Sequence, residues 1–240
     1  MKAADVRKEL KSRADPERAA ILQRFFKTGP GHYGEGDIFI GVMVPQSRQI
    51  AKKFCQLTLE EVRTLLYSRI HEERLVALLI LAWRYTSSSS SMEKEKIAQF
   101  YLEHIKQVNN WDLVDLSAPN ILGVHLVGRE ETRPLLYRLA KSENIWERRI
   151  AILATLYFIR NGAFSETLKI AEMLLHDRHD LIHKAVGWML REVGKRDAAA
   201  EEVFLEKYHS VMPRTMLRYA IERLPESKRR RYNKKSIDSD

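Results

Sequence analysis

An all-helical protein built from stacked helix pairs is the fold class this 240-residue sequence predicts, and three observations predict it. Helical periodicity runs through most of the chain. A short motif recurs at the spacing of one helix pair. Only 10 Gly and 7 Pro, against 30% charged residues, leave too few turn formers for a protein of many short strands. The recurring motif is the sharpest signal. Glu72-Glu73-Arg74-Leu75-Val76-Ala77, Trp146-Glu147-Arg148-Arg149-Ile150-Ala151 and Leu181-Ile182-His183-Lys184-Ala185-Val186-Gly187 each set a basic residue three positions before a small one. The small residues Ala77, Ala151 and Gly187 lie 74 and 36 positions apart, and 74 is twice 37, which places a further unit near Val114. Another falls near Arg218/Ile221, 34 positions beyond Gly187. Helical units of this period are HEAT-like, since the fixed Trp, Gly, Tyr and Pro of tetratricopeptide repeats are not visible. In such a solenoid the small residue lets a neighbouring helix approach, and the basic residue one turn earlier reaches solvent, which predicts a concave basic face.

Along the chain, N-terminal helices precede the least helical stretch, Thr28 to Pro45, whose Gly-Pro-Gly-His-Tyr-Gly-Glu-Gly-Asp run reads as an ordered loop. Helical periodicity resumes at Gln46. The breaks that follow are short and polar: Thr86 to Ser91 with its five serines, Gly128-Arg129-Glu130-Glu131, Asn161-Gly162, and His176 to Asp180. None is long enough to separate domains, so a single repeat domain over residues 1–227 is expected, followed by a basic, flexible tail over 228–240. Lys228, Arg229, Arg230, Arg231, Lys234 and Lys235 account for six of the nine net positive charges. A pI near 9.6 favours a polyanionic partner, although a basic tail alone is as often merely solvated. The longest apolar runs, such as Leu75 to Trp83, are about half of a membrane span, and the N-terminus is charged from Lys2 onward. A single cysteine, Cys55, excludes an intrachain disulfide and a thiolate zinc site. These features predict a cytoplasmic protein.

Several motifs have plain structural readings. Gly34-Glu35-Gly36-Asp37 lacks the preceding strand and the Gly-Lys-Ser/Thr ending of a phosphate loop, and reads as a turn. His176, His179 and His183, with Asp177 and Asp180 among them, have ligand-like spacings but fall where one helix ends and the next begins, which favours helix-end chemistry over a metal. Cys55 reads as a buried small hydrophobe. Trp146 and Trp188 occupy positions where packing is the commoner role. The segment Asn110-Trp111-Asp112-Leu113-Val114-Asp115 is more informative: on a helix Trp111 and Asp115 are i and i+4, which sets a carboxylate beside an aromatic plane. Spacing leaves two readings open, a reactive pair or a helix capped by Asn110 or Asp112 with Trp111 in the core.

Taken together, Asn110-Trp111-Asp112-Leu113-Val114-Asp115, Asn144-Ile145-Trp146-Glu147-Arg148-Arg149-Ile150-Ala151-Ile152 and Lys184-Ala185-Val186-Gly187-Trp188-Met189-Leu190-Arg191-Glu192 resemble, in order and separation, the AlkD family of DNA alkylation repair glycosylases. Gly36-Asp37-Ile38-Phe39-Ile40-Gly41-Val42 with Pro45 and Arg48 resembles the loop and following helix of that family, and the likeness runs from about Asp15 to Arg223. The resemblance implies a HEAT-like fold holding duplex DNA. It also implies removal of cationic alkylated purines such as 3-methyladenine and 7-methylguanine. By the same likeness Asp115 is the catalytic carboxylate, Trp111 and Trp188 are aromatic walls, and Arg149 contacts phosphate with Arg148 and Arg191 as neighbours. Phe25 stands where some relatives carry a tyrosine, so a hydroxyl contact is absent there.

The implied chemistry needs no metal and no cofactor. An alkylated purine already carries positive charge and leaves as a neutral base, so no general acid is required, and one carboxylate can stabilise the cationic sugar as the glycosidic bond stretches. Arg148, Arg149, Lys184, Arg191 and Arg218 recur at the repeat spacing, as expected for phosphate contacts without sequence preference. The expectation is a monomer acting on duplex DNA. A non-catalytic DNA-binding member of the same superfamily is the main rival, and a HEAT scaffold for protein partners the lesser one.

Overall fold

Every regular element among the described residues is helical, and the one β-type pairing is an isolated parallel bridge between Ile38 and Ile70. The computed structural model describes residues 1–130 and 133–233. The fold groups into two compact units, Met1–His125 and Leu126–Asp240.

The first unit is organised around α5 (His71–Ser87), whose residues from His71 to Ala82 are all buried. A helix apolar on all sides must be covered on all sides. α1 (Ala3–Lys11), α3 (Val44–Lys53), α4 (Leu59–Leu66), α6 (Ser91–Glu103) and α7 (Trp111–Ser117) supply the cover. α2 (Pro16–Phe25) contributes no buried side chain; it is started by Pro16 and capped by Asp15, whose carboxylate accepts from the Arg18 amide at 3.0 Å. The serine run ends α5 and begins α6, with Ser90 as the cap. After α7 come a π turn, Pro119–Gly123, and the three-residue α8 (Val124–Leu126).

The glycine-rich loop is tied to the start of α5 by a buried network. Asp37, 7% exposed, takes a hydrogen bond from the His71 Nδ1–H at 3.0 Å, from Arg74 Nη2 at 2.6 Å and from Asn110 Nδ2 at 3.0 Å. His71 Nε2–H donates to Asp112 at 2.8 Å, so one imidazolium joins the loop to α7. Burial alone would raise the Asp37 pKa, but the His71 hydrogen bond, with Arg74 and Asn110, carries it below the usual carboxylate range. Burial likewise opposes charge on His71, yet Asp112 and Asp37 push its pKa up to about 8. Glu72 completes the loop: one carboxylate oxygen accepts the Gly41 amide at 2.8 Å and the Ile40 amide at 3.1 Å. Only glycine fits at position 41, where φ is 83° and an added Cβ would stand 2.1 Å from the Asp15 carbonyl oxygen.

This network corrects one expectation. Arg74, predicted to reach solvent from its repeat, is 3% exposed and bound to Asp37 and to the Ser68 carbonyl. A buried acid next to it was a better partner than water.

The second unit stacks in two layers. α10 (Ile145–Arg160), α12 (Asp180–Gly194) and α14 (Arg214–Ala220) pack in succession. α9 (Arg133–Ala140), α11 (Ser165–Met173) and α13 (Ala198–Tyr208) back them. Three of these helices are capped by side chains from the preceding turn: Asn144 caps α10, the His179 ring accepts the Leu181 amide to cap α12, and Asp197 caps α13. The histidine cluster is therefore helix-end chemistry, as its position suggested. The small repeat residue also acts as expected at Gly187, where an added Cβ would lie 2.3 Å from the Met216 carbonyl oxygen and 2.6 Å from Tyr219 Cβ. α12 and α14 touch there backbone to backbone.

Residues 228–233 differ from the free tail that was expected. They lie in α15 (Glu226–Asn233), anchored by Tyr232, which is 2% exposed and donates its hydroxyl proton to Glu206 at 2.7 Å, while Arg231 pairs with the same carboxylate. One aromatic residue in a basic run was enough to dock it. Lys234 and Lys235 lie outside the described residues.

Two outcomes test this packing. Since the folded state holds the His71 pKa above its ordinary value of 6.5, the stabilisation is complete below that pH and fades as pH rises through about 8. Denaturant unfolding should lose on the order of 2 kcal/mol over that interval. The His71→Gln variant should show a flatter profile, and a wild-type profile flat through the interval would mean His71 is neutral. Gly187→Ala should cost about 1–3 kcal/mol in the same measurement, because α12 and α14 must separate; an unchanged midpoint would contradict the close approach.

Candidate active site

α7 is short, and its first turn is fixed twice over. The Asn110 side-chain oxygen accepts the Trp111 amide at 2.8 Å while its amide nitrogen donates to Asp37, and Asp112 is held by His71. The helix therefore starts from a buried, hydrogen-bonded anchor. The capping reading of this segment holds for Asn110. It does not exhaust the segment, because one turn further along the same helix Asp115 lines a cleft of about 520 Å³.

That cleft lies within the first unit. It is lined by the buried Ala51, Leu79 and Ala82, by Arg48 and Lys52 of α3, Trp83 and Thr86 of α5, Asp115 and Leu116 of α7, and Asn120 on the π turn. Arg48, Lys52 and Trp83 are exposed and Asp115 is half-buried, so a carboxylate stands among two cations and an aromatic ring at a solvent-open surface. Trp111, one turn before Asp115, is half-buried: its ring stacks on Phe26, centroids 5.1 Å apart and planes 6° from parallel, with Phe25 edge-on at 6.0 Å. Phe25 itself is 61% exposed. Where a tyrosine hydroxyl was noted as missing, the phenyl ring extends the Trp111 aromatic surface instead.

The remaining predicted residues belong to the second unit. Trp188, half-buried on α12, donates its indole N–H to Glu192 at 3.1 Å. Arg149, 5% exposed on α10, donates to the Leu181 carbonyl at 2.6 Å. Arg148 is committed to Asp177 at 2.6 Å and to the Ser142 and Glu143 carbonyls at 2.9 and 2.8 Å, so this basic repeat residue, like Arg74, turns to a protein partner. Arg191 is paired with Glu222. Lys184 pairs with Asp180 one turn earlier at 2.7 Å; burial pushes the Asp180 pKa up, and hydrogen bonds from Lys184 and Thr215 more than reverse it. Arg218 is exposed on α14, its guanidinium 6.0 Å from the Tyr219 ring. Trp146 is buried, a packing residue as its position suggested.

Sequence reading passed over Lys52, Trp83 and Asn120, and took Arg48 only as part of a loop likeness. The available signal was Arg48 and Lys52 at i and i+4 on α3, and a tryptophan closing the Leu75 to Trp83 run at the point where α5 reaches the surface.

The family model for the DNA alkylation repair enzymes matches residues 6–224. Among solved structures, a predicted DNA alkylation repair enzyme from Enterococcus faecalis superposes with a TM-score of 0.71 at 19% identity, covering 89% of this chain and 98% of that one. AlkD2 from Streptococcus mutans superposes with a TM-score of 0.56 at 15% identity, covering 86% and 97%. No curated protein sequence matches. At these identities the structures speak for a shared helical repeat fold, and the family match over nearly the whole length identifies the chain: it belongs to the DNA alkylation repair enzyme family.

Proposed function

We propose that this protein is a DNA glycosylase that excises cationic alkylated purines, 3-methyladenine and 7-methylguanine among them, from duplex DNA. The observation that carries the reading is the Asp115 carboxylate, presented to an open cleft by a helix whose first turn is locked by buried hydrogen bonds. A preorganised carboxylate facing a sugar stabilises the oxocarbenium-like charge that grows as the glycosidic bond breaks, and it can orient the water that attacks. The base departs neutral because alkylation has already made it cationic, so the bond breaks without an acid to protonate the leaving group. Trp111 and Trp188 act as aromatic walls, each contributing about 0.5–2 kcal/mol when a cation lies against its face. An undamaged base gains neither that attraction nor an easy departure.

DNA would be held along the layer formed by α10, α12 and α14, as the expected basic face. Of the five predicted cations, Arg218 is exposed and Lys184 half-buried, and these two are the more open to phosphate. Arg148, Arg149 and Arg191 already hold protein partners, but a guanidinium has five N–H donors and can keep one partner while meeting another. The same reading takes the protein to work as a monomer on DNA in the cytoplasm. No helix among the described residues is long and apolar enough to cross a membrane.

Two measurements test the proposal. With methylated duplex DNA as substrate and DNA occupancy matched, Asp115→Asn should release free methylated purine on the order of 100-fold more slowly than wild type. If wild type releases no base while both proteins bind DNA, the protein is a non-catalytic DNA binder and Asp115 is structural. Binding itself should weaken with salt, and Lys184→Gln with Arg218→Gln should make the slope of log K against log salt shallower by about 0.9 for each phosphate no longer neutralised. An unchanged slope would take these two residues off the DNA.

A further inference from the structure

The Asp115 cleft has a second side that the proposed chemistry does not use. Arg48 and Lys52 stand one turn apart on α3, about 6 Å along the helix axis, and both are exposed. Among the described residues neither is engaged in an ion pair or hydrogen bond, whereas Lys53 beside them is paired with Glu9. Most of the arginines already discussed are bound to an acid or a carbonyl; these two cations are aimed at an unfilled space. Trp83, lining the same cleft, is 39% exposed one turn before the end of α5, after a run of residues that are all buried. Its neighbour Arg84 is engaged by the Leu57 carbonyl and Glu93. Ala51 and Ala82 are small members of the same lining. Larger side chains at either position would fill the space.

Two cations with no ion pair or hydrogen bond, lining one cleft with an exposed indole and two small residues, make a pattern suited to an anion that carries a flat or apolar body. The cleft, about 520 Å³, is of the size that takes a whole small ligand rather than a single base. We infer that the Arg48–Lys52–Trp83 flank is a nucleotide subsite of the Asp115 cleft: the two cations hold backbone phosphate of the DNA strand being repaired, and Trp83 stacks on the base or sugar of the nucleotide attached to it. The inference rests on the reading that DNA enters this cleft. It adds what fixes the strand there, since Asp115 by itself would repel phosphate. The cations hold the phosphates to one side, so that the neutral sugar edge is the part that meets the carboxylate. Aromatic stacking joined to a cationic track is sequence-tolerant, which suits an enzyme that must accept a lesion in any context.

The test is anisotropy of a fluorescein-labelled duplex carrying one tetrahydrofuran abasic residue, measured over a range of sodium chloride with the full chain. Arg48→Gln/Lys52→Gln should bind more weakly at low salt, with a slope of log K against log salt shallower by about 0.9 for each phosphate that the pair neutralises in wild type. Trp83→Ala should weaken binding about tenfold with the slope unchanged, and Trp83→Phe should recover most of that affinity because a ring is restored. A double variant with wild-type affinity and slope, or Trp83→Ala binding as wild type does, overturns the inference. In a parallel arm, free deoxyadenosine monophosphate competing as strongly as an equal concentration of unlabelled duplex would make the subsite one for free nucleotides, and would overturn its assignment to DNA. Base release by wild type is read separately. Release that depends on Asp115, with unaltered binding by the double variant, removes the subsite alone. Altered binding by the double variant without any release by wild type removes the glycosylase reading and leaves the subsite.

Discussion

The first unit depends on one buried carboxylate. Asp37 accepts from an imidazolium, a guanidinium and a carboxamide that come from two helices far apart in sequence, and it sits itself in a loop with little regular structure. Removing one member of a buried charged set typically costs about 3–5 kcal/mol, because the remaining charges stay out of water without compensation. Exposed pairs such as Arg63 with Glu60 contribute about 0–1 kcal/mol each. The position of α7 is therefore decided by the buried set. His71 is the hinge of it, touching Asp37 with one nitrogen and Asp112 with the other, and stacked on Phe39 at 4.3 Å. The side chains that hold the loop and those that start α7 are the same side chains.

The second unit solves its positioning problem with shape more than charge. Backbone contact at Gly187 sets the separation of α12 and α14, and the residue that follows it is Trp188. At the head of α12, Arg148 and Asp177 join the end of one repeat to the beginning of another, and Asp177 also accepts the His179 amide. A ring and a row of cations are thereby carried on a scaffold whose spacing cannot drift without a clash.

Much of this was legible in the sequence, and the reason is periodicity. Repeat spacing alone places α7 near Val114 and α14 near Arg218, and it marks Gly187 as the place of close approach. The carboxylate and both tryptophans came from motif likeness, since spacing alone could not separate a capped core helix from a reactive one. Two kinds of fact stayed hidden. The partner of a charged side chain is a long-range property: Arg74 and Arg148 look alike in their repeats and unlike most solvated arginines in the fold, because acids 37 residues before the one and 29 after the other happen to reach them. A cleft is likewise a relation between helices, so Lys52, Trp83 and Asn120 carried no mark until α3, α5 and the π turn were brought face to face. The docking of residues 228–233 through Tyr232 is a third case of a distant partner outweighing local composition.

α2, with no buried side chain of its own, has a consequence for motion. A helix without a fully buried side chain can detach at less than the free energy of global unfolding, and its amides should exchange with solvent through such local openings. Phe25 would leave with it, while Phe26, buried against Phe39 and Trp111, would stay. The aromatic surface around Trp111 thus has a pliant outer lip and a fixed inner one, and the carboxylate one turn further along α7 belongs with the fixed part.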